Sequence, residues 1–255
     1  MPRRLTSLLA ALAFVTSLVA GCAGAPTAPA LSDPKEILSQ SIGSLATAKS
    51  FHLKADVSGT IAFDMTGSGT ATPLELTGTT LEGDMDIAGK KAHLTFGAPA
   101  LLGATGEFIV VDNVTYTKVS LLGPKFTKTE SAAGESDIPT DPVKAIADVK
   151  AALDDLPNPP TKNADVKCGD KDCYSVSIAL SSDDLGELGG GALPSTAATG
   201  NGTIELWVAK DNLRPARVVL TADAGAQGKL TVTMDVTNYD APVTIVAPPA
   251  DQVQG

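Results

Sequence analysis

The chain has 255 residues, three cysteines and a formal net charge of −10, and 43% of its residues are hydrophobic although only 4% are aromatic. This length suits one domain of moderate size, whose core must be built from aliphatic side chains rather than rings. The negative charge, with no basic cluster, excludes nucleic acid as an electrostatic partner and makes anionic lipid headgroups poor partners for the surface as a whole.

The first residues follow the order of an export signal. Arg3 and Arg4 precede an apolar run at residues 5–19, and small residues lead directly to Cys22. A short positive region, an apolar region and small residues at the end are typical of a secretory signal peptide, and the cysteine at this spacing fits a bacterial lipobox. We therefore expect residues 1–21 to be removed and Cys22 to become the lipidated first residue. An ordinary signal peptide with a chance cysteine, or an uncleaved anchor, is the alternative.

Acyl chains such as palmitate on Cys22 would decide where the protein resides. One chain binds a membrane only marginally, but two or three hold it, because each buried methylene contributes ~0.8 kcal/mol. Residues 22–31 are rich in Ala, Pro and Thr, which is typical of a flexible linker. We expect an exported protein that is lipid-anchored to the outer face of the cytoplasmic membrane.

Two helices are predicted. Ser32 or Asp33 can cap the first, Pro34 suits its first turn, and an apolar stripe continues to about Lys49. The second lies in "TDPVKAIADVKAALDDL", residues 140–156, before "PNPP" stops it. The residues expected to face the core are Leu38, Ile42 and Leu45 in the first helix and Val143, Ile146 and Leu153 in the second.

Most of the remaining chain alternates between apolar and polar residues, which predicts strands with one buried face. Short runs joined by tight turns, such as Asp112-Asn113, favour about eight to eleven antiparallel strands. The glycine-rich stretch between residues 186 and 202 is predicted to be a mobile surface loop.

Catalytic chemistry is sparse in this sequence. His52 and His93 both fall on predicted solvent-facing sides of strands, and none of the common hydrolase, metalloprotease or nucleotide-binding motifs occurs. Cys168 and Cys173, in "CGDKDC", are expected to form a disulfide, because an exported chain meets an oxidising compartment; a metal site would need further ligands. We expect no enzyme activity, no metal and no cofactor.

The order of these segments resembles the LppX/LprA/LprF/LprG family of cell-envelope lipoproteins. The resemblance is carried by the lipobox, "SFHLKADVSGTI", "GEFIVVDNVTYTKV", "DPVKAIADVKAAL", "IELWVAKDNLRPARVVLTAD" and "KLTVTMDVTNYDAPVTIVAPP". It implies an α+β fold, a strongly curved antiparallel β half-barrel with helices packed on its concave side, similar to the LolA/LolB carriers. It also implies a single lipid-binding domain at residues 32–250, followed by a tail at 251–255. The glycine-rich loop and the cysteine pair depart from the family pattern.

The resemblance further implies a cavity for the acyl chains of lipids or glycolipids, with an envelope transporter as a candidate partner. Two helices are too narrow to fill the hollow of a curved sheet, which supports such a cavity. The predicted lining is Leu53, Val57, Ile61, Phe63, Leu94, Phe96, Val176, Ile178, Leu206, Val208, Val218, Leu220, Val232 and Met234. A solid core remains the alternative, and the protein would then be a non-carrier surface module or an accessory subunit of an envelope complex. Trp207 is predicted on the opposite face, as a surface residue or a membrane contact.

Overall fold

The computed structural model describes residues 30–63, 72–130, 158–182, 184–185, 200–223 and 228–254, together with positions 147, 150, 151 and 225. Its internal contacts divide the chain into Met1–Leu31 and Ser32–Gly255, and the fold below is that of the second unit. The predicted signal peptide, Cys22, most of the predicted second helix with Val143, Ile146 and Leu153, and the glycine-rich loop lie outside the described residues.

Within the described residues, thirteen antiparallel strands form one open sheet. They are β1 (Ser50–Phe63), β2 (Thr72–Glu75), β3 (Thr79–Asp86), β4 (Lys91–Ala98), β5 (Ala104–Val111), β6 (Val114–Val119), β7 (Thr127–Glu130), β8 (Thr161–Lys162), β9 (Val166–Cys168), β10 (Lys171–Leu180), β11 (Asn201–Ala209), β12 (Pro215–Asp223) and β13 (Gly228–Thr237). The expected number of strands was too low, because β2, β7, β8 and β9 have only two to four residues and are too short to show alternation.

The strand order is β7-β6-β5-β4-β3-β1-β13-β12-β11-β10-β8, with β2 beside the end of β1 and β9 beside β10. Most neighbours in the sheet are therefore neighbours in sequence. In two places, β1 beside β3 and β10 beside β8, one short strand is skipped. The long-range exception is the pairing of β1 with β13, which runs from His52 opposite Thr237 to Ile61 opposite Gly228. This seam joins two meanders into the half-barrel predicted from the sequence.

Two glycines allow the strands to meet closely at this seam. Gly59 and Gly228 have φ angles of +115° and +119°. A Cβ atom on Gly59 would lie 2.0 Å from the carbonyl oxygen of Lys229, and one on Gly228 would lie 1.9 Å from that of Thr60. No other residue fits either position without moving the backbone, so the long strand β1 can bend here.

The helix α1 (Pro34–Ala46) lies against one face of the sheet. Asp33 caps it by accepting a hydrogen bond from the backbone N–H of Lys35 at 2.9 Å, as predicted. The helix ends three residues earlier than expected, because the backbone N–H of Lys49 donates instead to the Asp240 carboxylate at 2.8 Å. In the part of the chain described here, no helix is both long enough and apolar enough to cross a membrane.

Two local predictions are confirmed. Asp112 and Asn113 have φ angles of +54° and +63°, which makes the two-residue turn between β5 and β6 one of the type preferred in hairpins. Cys168 and Cys173 form a disulfide between β9 and β10, with Cα atoms 6.0 Å apart. One boundary is wrong: Asn201 and Gly202 belong to β11 and not to the irregular stretch before it.

Candidate functional site

The face of the sheet that carries α1, called the inner face below, is largely apolar on the strands that lie between β5 and β10 in the sheet order. The register of the strands places its residues in rows that run perpendicular to the strands. The first row is Val119, Gly106, Phe96, Leu81, Ala55, Met234, Val218, Leu206 and Val176. The second is Val57, Val232, Leu220, Ile204 and Ile178. The first row continues onto β8 at Lys162, opposite Val176, and the other residues of the two rows are uncharged.

The strand register places the predicted cavity residues on this one face. Phe63 is the last residue of β1, and its side chain lies outside the part of the chain that the structure describes. They differ in burial. Four are covered by protein atoms, and nine are only partly buried. The covered residues are Val176, Ile178, Leu206 and Val208; the partly buried residues are Leu53, Val57, Ile61, Leu94, Phe96, Val218, Leu220, Val232 and Met234. The inner face is thus packed at β10 and β11 and partly open over the rest.

The helix covers one end of the inner face. Ile42 packs with Phe51, Ile87 and Val236, and Leu45, Leu53, Met85 and Tyr239 surround this cluster. Leu38 and Ile42 are buried as predicted, and Leu45 is partly buried. Ile37, which the predicted stripe left out, is completely buried. Burial raises the pKa of the Tyr239 hydroxyl, which donates to the Pro215 carbonyl oxygen at 2.7 Å, so this group stays neutral.

Two aromatic rings form part of the inner face toward the opposite end. Phe96 and Phe108 stack with centroids 5.6 Å apart. The Phe96 ring lies over Gly106, where an added Cβ would be 1.9 Å from a ring carbon. Sequence analysis missed Phe108, because the run "FIVV" is apolar on both faces of β5 and hides the alternation. The outer side of that run is buried too: Ile109 and Val111 pack with Phe126 and Ile245.

The opposite face of the sheet, called the outer face below, is polar. One row across nine strands reads Lys118, Glu107, Thr95, Glu82, Lys54, Asp235, Arg217, Trp207 and Ser175. Arg217 binds both carboxylate oxygens of Asp235 and lies over the Trp207 ring, 5.0 Å from its centroid. Trp207 also donates from Nε1 to Glu205 at 2.8 Å. The tryptophan is therefore a partner in a surface network, on the face predicted for it.

Both histidines lie on the outer face, as their positions in the alternation predict, and each of them contacts a carboxylate. His52 Nδ1 is 2.8 Å from Asp84, and His93 Nε2 is 2.8 Å from Glu107. Burial opposes ionisation of Glu107 most strongly, yet hydrogen bonds from Lys118 and His93 together lower the pKa of this carboxyl. Among the described residues, no three His, Cys, Asp or Glu side chains are grouped as metal ligands.

A hollow of about 740 Å³ opens on the outer face beside this network. Lys54, Arg214 and Arg217 contribute to its wall, together with Trp207. The two arginines are each neutralised by a carboxylate, Arg214 by Asp240 and Arg217 by Asp235. This surface is polar and rich in charged residues, in contrast to the two largely apolar rows of the inner face.

This open antiparallel half-barrel is similar to the crystal structures of two mycobacterial proteins. The crystal structure of LprF from Mycobacterium bovis matches it with a TM-score of 0.55 at 19% identity, covering 84% of this chain and 96% of LprF. The crystal structure of LppX from Mycobacterium tuberculosis gives a TM-score of 0.52 at 12% identity, covering 84% and 98%. No curated protein sequence matches the chain. The model of the LppX/LprAFG lipoprotein family matches residues 33–245, and the chain belongs to this family.

Proposed function

We propose that this protein is a membrane-anchored lipoprotein that binds the acyl chains of lipids or glycolipids against its inner face and carries or presents them within the cell envelope. The observation that carries the proposal is the set of nine apolar side chains that remain partly exposed there. Exposed apolar side chains are normal when scattered, but a contiguous group marks a binding surface. Cys22 supplies the anchor, and the signal peptide directs export.

The chemistry of the surface selects the ligand. Away from Lys162 at the β8 border, the two inner rows offer no charged partner for a headgroup, whereas an acyl chain needs only carbon surface. Burial of about 16 methylene-sized groups at ~0.8 kcal/mol each gives on the order of 10 kcal/mol before the cost of ordering the chain. This is enough to compete with a bilayer for a lipid. The protein acts by binding and release and performs no chemical step.

One observation favours the alternative of a solid surface module. At β10 and β11, Val176, Ile178 and Val208 are at most 1% exposed, so the protein's own atoms fill that part of the inner face. A carrier would therefore use the other part, around Val57, Val218 and Val232. The two functions make different predictions for substitutions there.

Adjacent valines of β12 provide a matched test. Val218 lies on the inner face between Leu206 and Met234, and Val219 lies on the outer face between Glu205 and Thr233. Both are partly buried. Val218→Asp places a carboxylate in the path of an acyl chain. The aspartate side chain is too short to carry this charge past a bound chain to water. Val219→Asp adds the same charge to the polar face, two residues from Arg217.

The measurement is native mass spectrometry of the chain that lacks residues 1–22, with chloroform extraction of bound lipid. We expect lipid to co-purify with the parent and with Val219→Asp, and to fall about tenfold in Val218→Asp, which corresponds to ~1.4 kcal/mol of lost binding. Circular dichroism serves as the folding control for both variants. A parent protein free of lipid would refute the carrier, and equal lipid in both variants would place the ligand elsewhere.

A further inference from the structure

Exposed leucines are concentrated at one end of the sheet. The large hydrophobic side chains that are exposed in the described residues are Leu101, Leu102, Leu121, Leu122 and Val246. Four of these five lie in two turns that share the sequence Leu-Leu-Gly, at residues 101–103 and 121–123. Leu102 is 90% exposed and Leu122 is 82% exposed. We call these two turns the leucine turns.

The leucine turns are neighbours in space. One connects β4 to β5, and the other follows β6, which pairs with β5. The backbone N–H of Ser120 donates to the Thr105 carbonyl oxygen at 2.8 Å, and the Ser120 hydroxyl accepts from the N–H of Thr105 at 3.0 Å. The four leucines are therefore carried side by side on a base that is fixed by hydrogen bonds.

The backbone of both turns is already hydrogen-bonded. In the first, the N–H groups of Leu101, Gly103 and Ala104 donate within the turn at 2.9 to 3.1 Å. In the second, the N–H groups of Leu122 and Gly123 both donate to the Val119 carbonyl oxygen. Irregular backbone resists entry into lipid because unpaired N–H groups are costly there. Here that cost is reduced, since the exposed part of each turn is mostly side-chain carbon.

The conformation of Leu102 does not suit its residue type. Its φ angle is +55°, in the left-handed region where glycine or asparagine is favoured. A turn that only had to connect two strands would place a small or polar residue here. The chain instead has a leucine, with its side chain almost wholly in solvent. The turn is thus built to project an apolar side chain outward.

Charge also sets these turns apart from the rest of the molecule. The chain has a net charge of −10, yet residues 99–103 and 120–125 contain no Asp or Glu and one lysine, Lys125. These two turns would not repel phospholipid headgroups. The first inner row reaches the same place, since Val119 immediately precedes the second turn and Gly106 and Phe96 lie beside it.

We infer that the leucine turns dock into the surface of a phospholipid bilayer and hold this end of the sheet against the headgroup region. Leu102 and Leu122 enter the boundary between headgroups and acyl chains, and Lys125 contacts the phosphates. The contact is additional to the anchor at Cys22 and orients the tethered domain. It does not depend on lipid carriage, because a non-carrier with the same turns would dock in the same way.

Tryptophan quenching by brominated lipids tests this in the full chain. Trp207 is the single tryptophan, so Trp207→Phe provides a silent background. Leu122→Trp reports the docking end. Ala88→Trp is the matched control: Ala88 is exposed in the turn between β3 and β4, and the eight residues of β4, about 25 Å, separate the two ends of the sheet. The vesicles contain equal parts of phosphatidylcholine and phosphatidylglycerol, with bromines at the headgroup end of one acyl chain.

We expect bromolipid to quench Leu122→Trp at least about twofold more than Ala88→Trp, with a blue shift of its emission on vesicle addition. Leu101→Asp with Leu102→Asp, on the neighbouring turn, should remove most of that difference while circular dichroism and co-purifying lipid stay unchanged. Equal quenching at both ends would overturn the inference. A blue shift without vesicles, accompanied by concentration-dependent dimerisation in sedimentation, would assign the turns to a second copy of the chain and overturn it as well.

Discussion

Gly106 lies under an aromatic ring of the inner face, so a single added methyl group there has an effect that can be worked out from the structure. In Gly106→Ala the new Cβ would lie 1.9, 2.5 and 2.7 Å from three carbons of the Phe96 ring. The ring must swing away and give up its stacking on Phe108. Loss of the aromatic pair costs about 0.5 to 1.5 kcal/mol, and overpacking adds about 1 to 3 kcal/mol. Because Phe96 is partly exposed and can move toward solvent, we expect a loss near the lower end, about 2 kcal/mol.

Gly97→Ala is the control. Gly97 lies on the next strand but on the outer face, and a Cβ there would meet only the Thr80 hydroxyl at 3.3 Å. The stability of Gly97→Ala should rise or stay level, because alanine reduces the conformational entropy of the unfolded chain, which is worth about 0.4 to 1 kcal/mol. Thermal unfolding followed by circular dichroism should place the Gly106→Ala midpoint several degrees below the parent, on the scale of about 2 to 4 °C per kcal/mol. Midpoints that fall equally in the two variants would refute the close contact between Gly106 and Phe96.

Two further predictions concern the frame that holds the inner face. The backbone N–H of Lys49 and the guanidinium of Arg214 lower the pKa of the Asp240 carboxyl. The stability that this carboxylate contributes is therefore complete above its unfolded pKa of about 4 and is lost as pH falls through the lower folded value. Asp240→Asn should flatten the decline in stability between about pH 5 and 3, and an unchanged decline would count against this. Reduction of the disulfide, whose loop is short, should lower the free energy of unfolding by about 2 kcal/mol. Urea unfolding with and without dithiothreitol measures this difference. Cooperative unfolding of the whole domain on reduction would contradict a local role.

The alternation of apolar and polar residues predicted most of the strands and indicated which residues form the inner face. The pattern at residues 51–57 assigned Leu53 and Val57 to the same face as Val232 and Met234, and the strand register confirms this arrangement. The turn at Asp112-Asn113 was recognisable because few residue pairs accept two positive φ angles. These features are local, and the sequence displays them directly.

Features that depend on distant contacts could not be predicted. β5 is apolar on both faces because Phe126 and Ile245 cover its outer side, so alternation could not identify Phe108 as an inner residue. Nor does the sequence distinguish the covered Val176 from the partly exposed Val218, which face each other across Leu206. The leucine turns were missed for another reason: a short apolar pair between two strands is indistinguishable from strand residues until the turn is located.

The two borders of the sheet bear on how a half-barrel avoids joining other copies of itself. An unclosed sheet ends in strands whose backbone groups can recruit a foreign strand, which leads to aggregation. Here the borders are β7, with four exposed residues and a Lys128–Glu130 pair, and β8, with only two residues. Such brief, hydrophilic margins offer little to a neighbouring chain. The sheet can therefore stay unclosed without becoming a template for fibres.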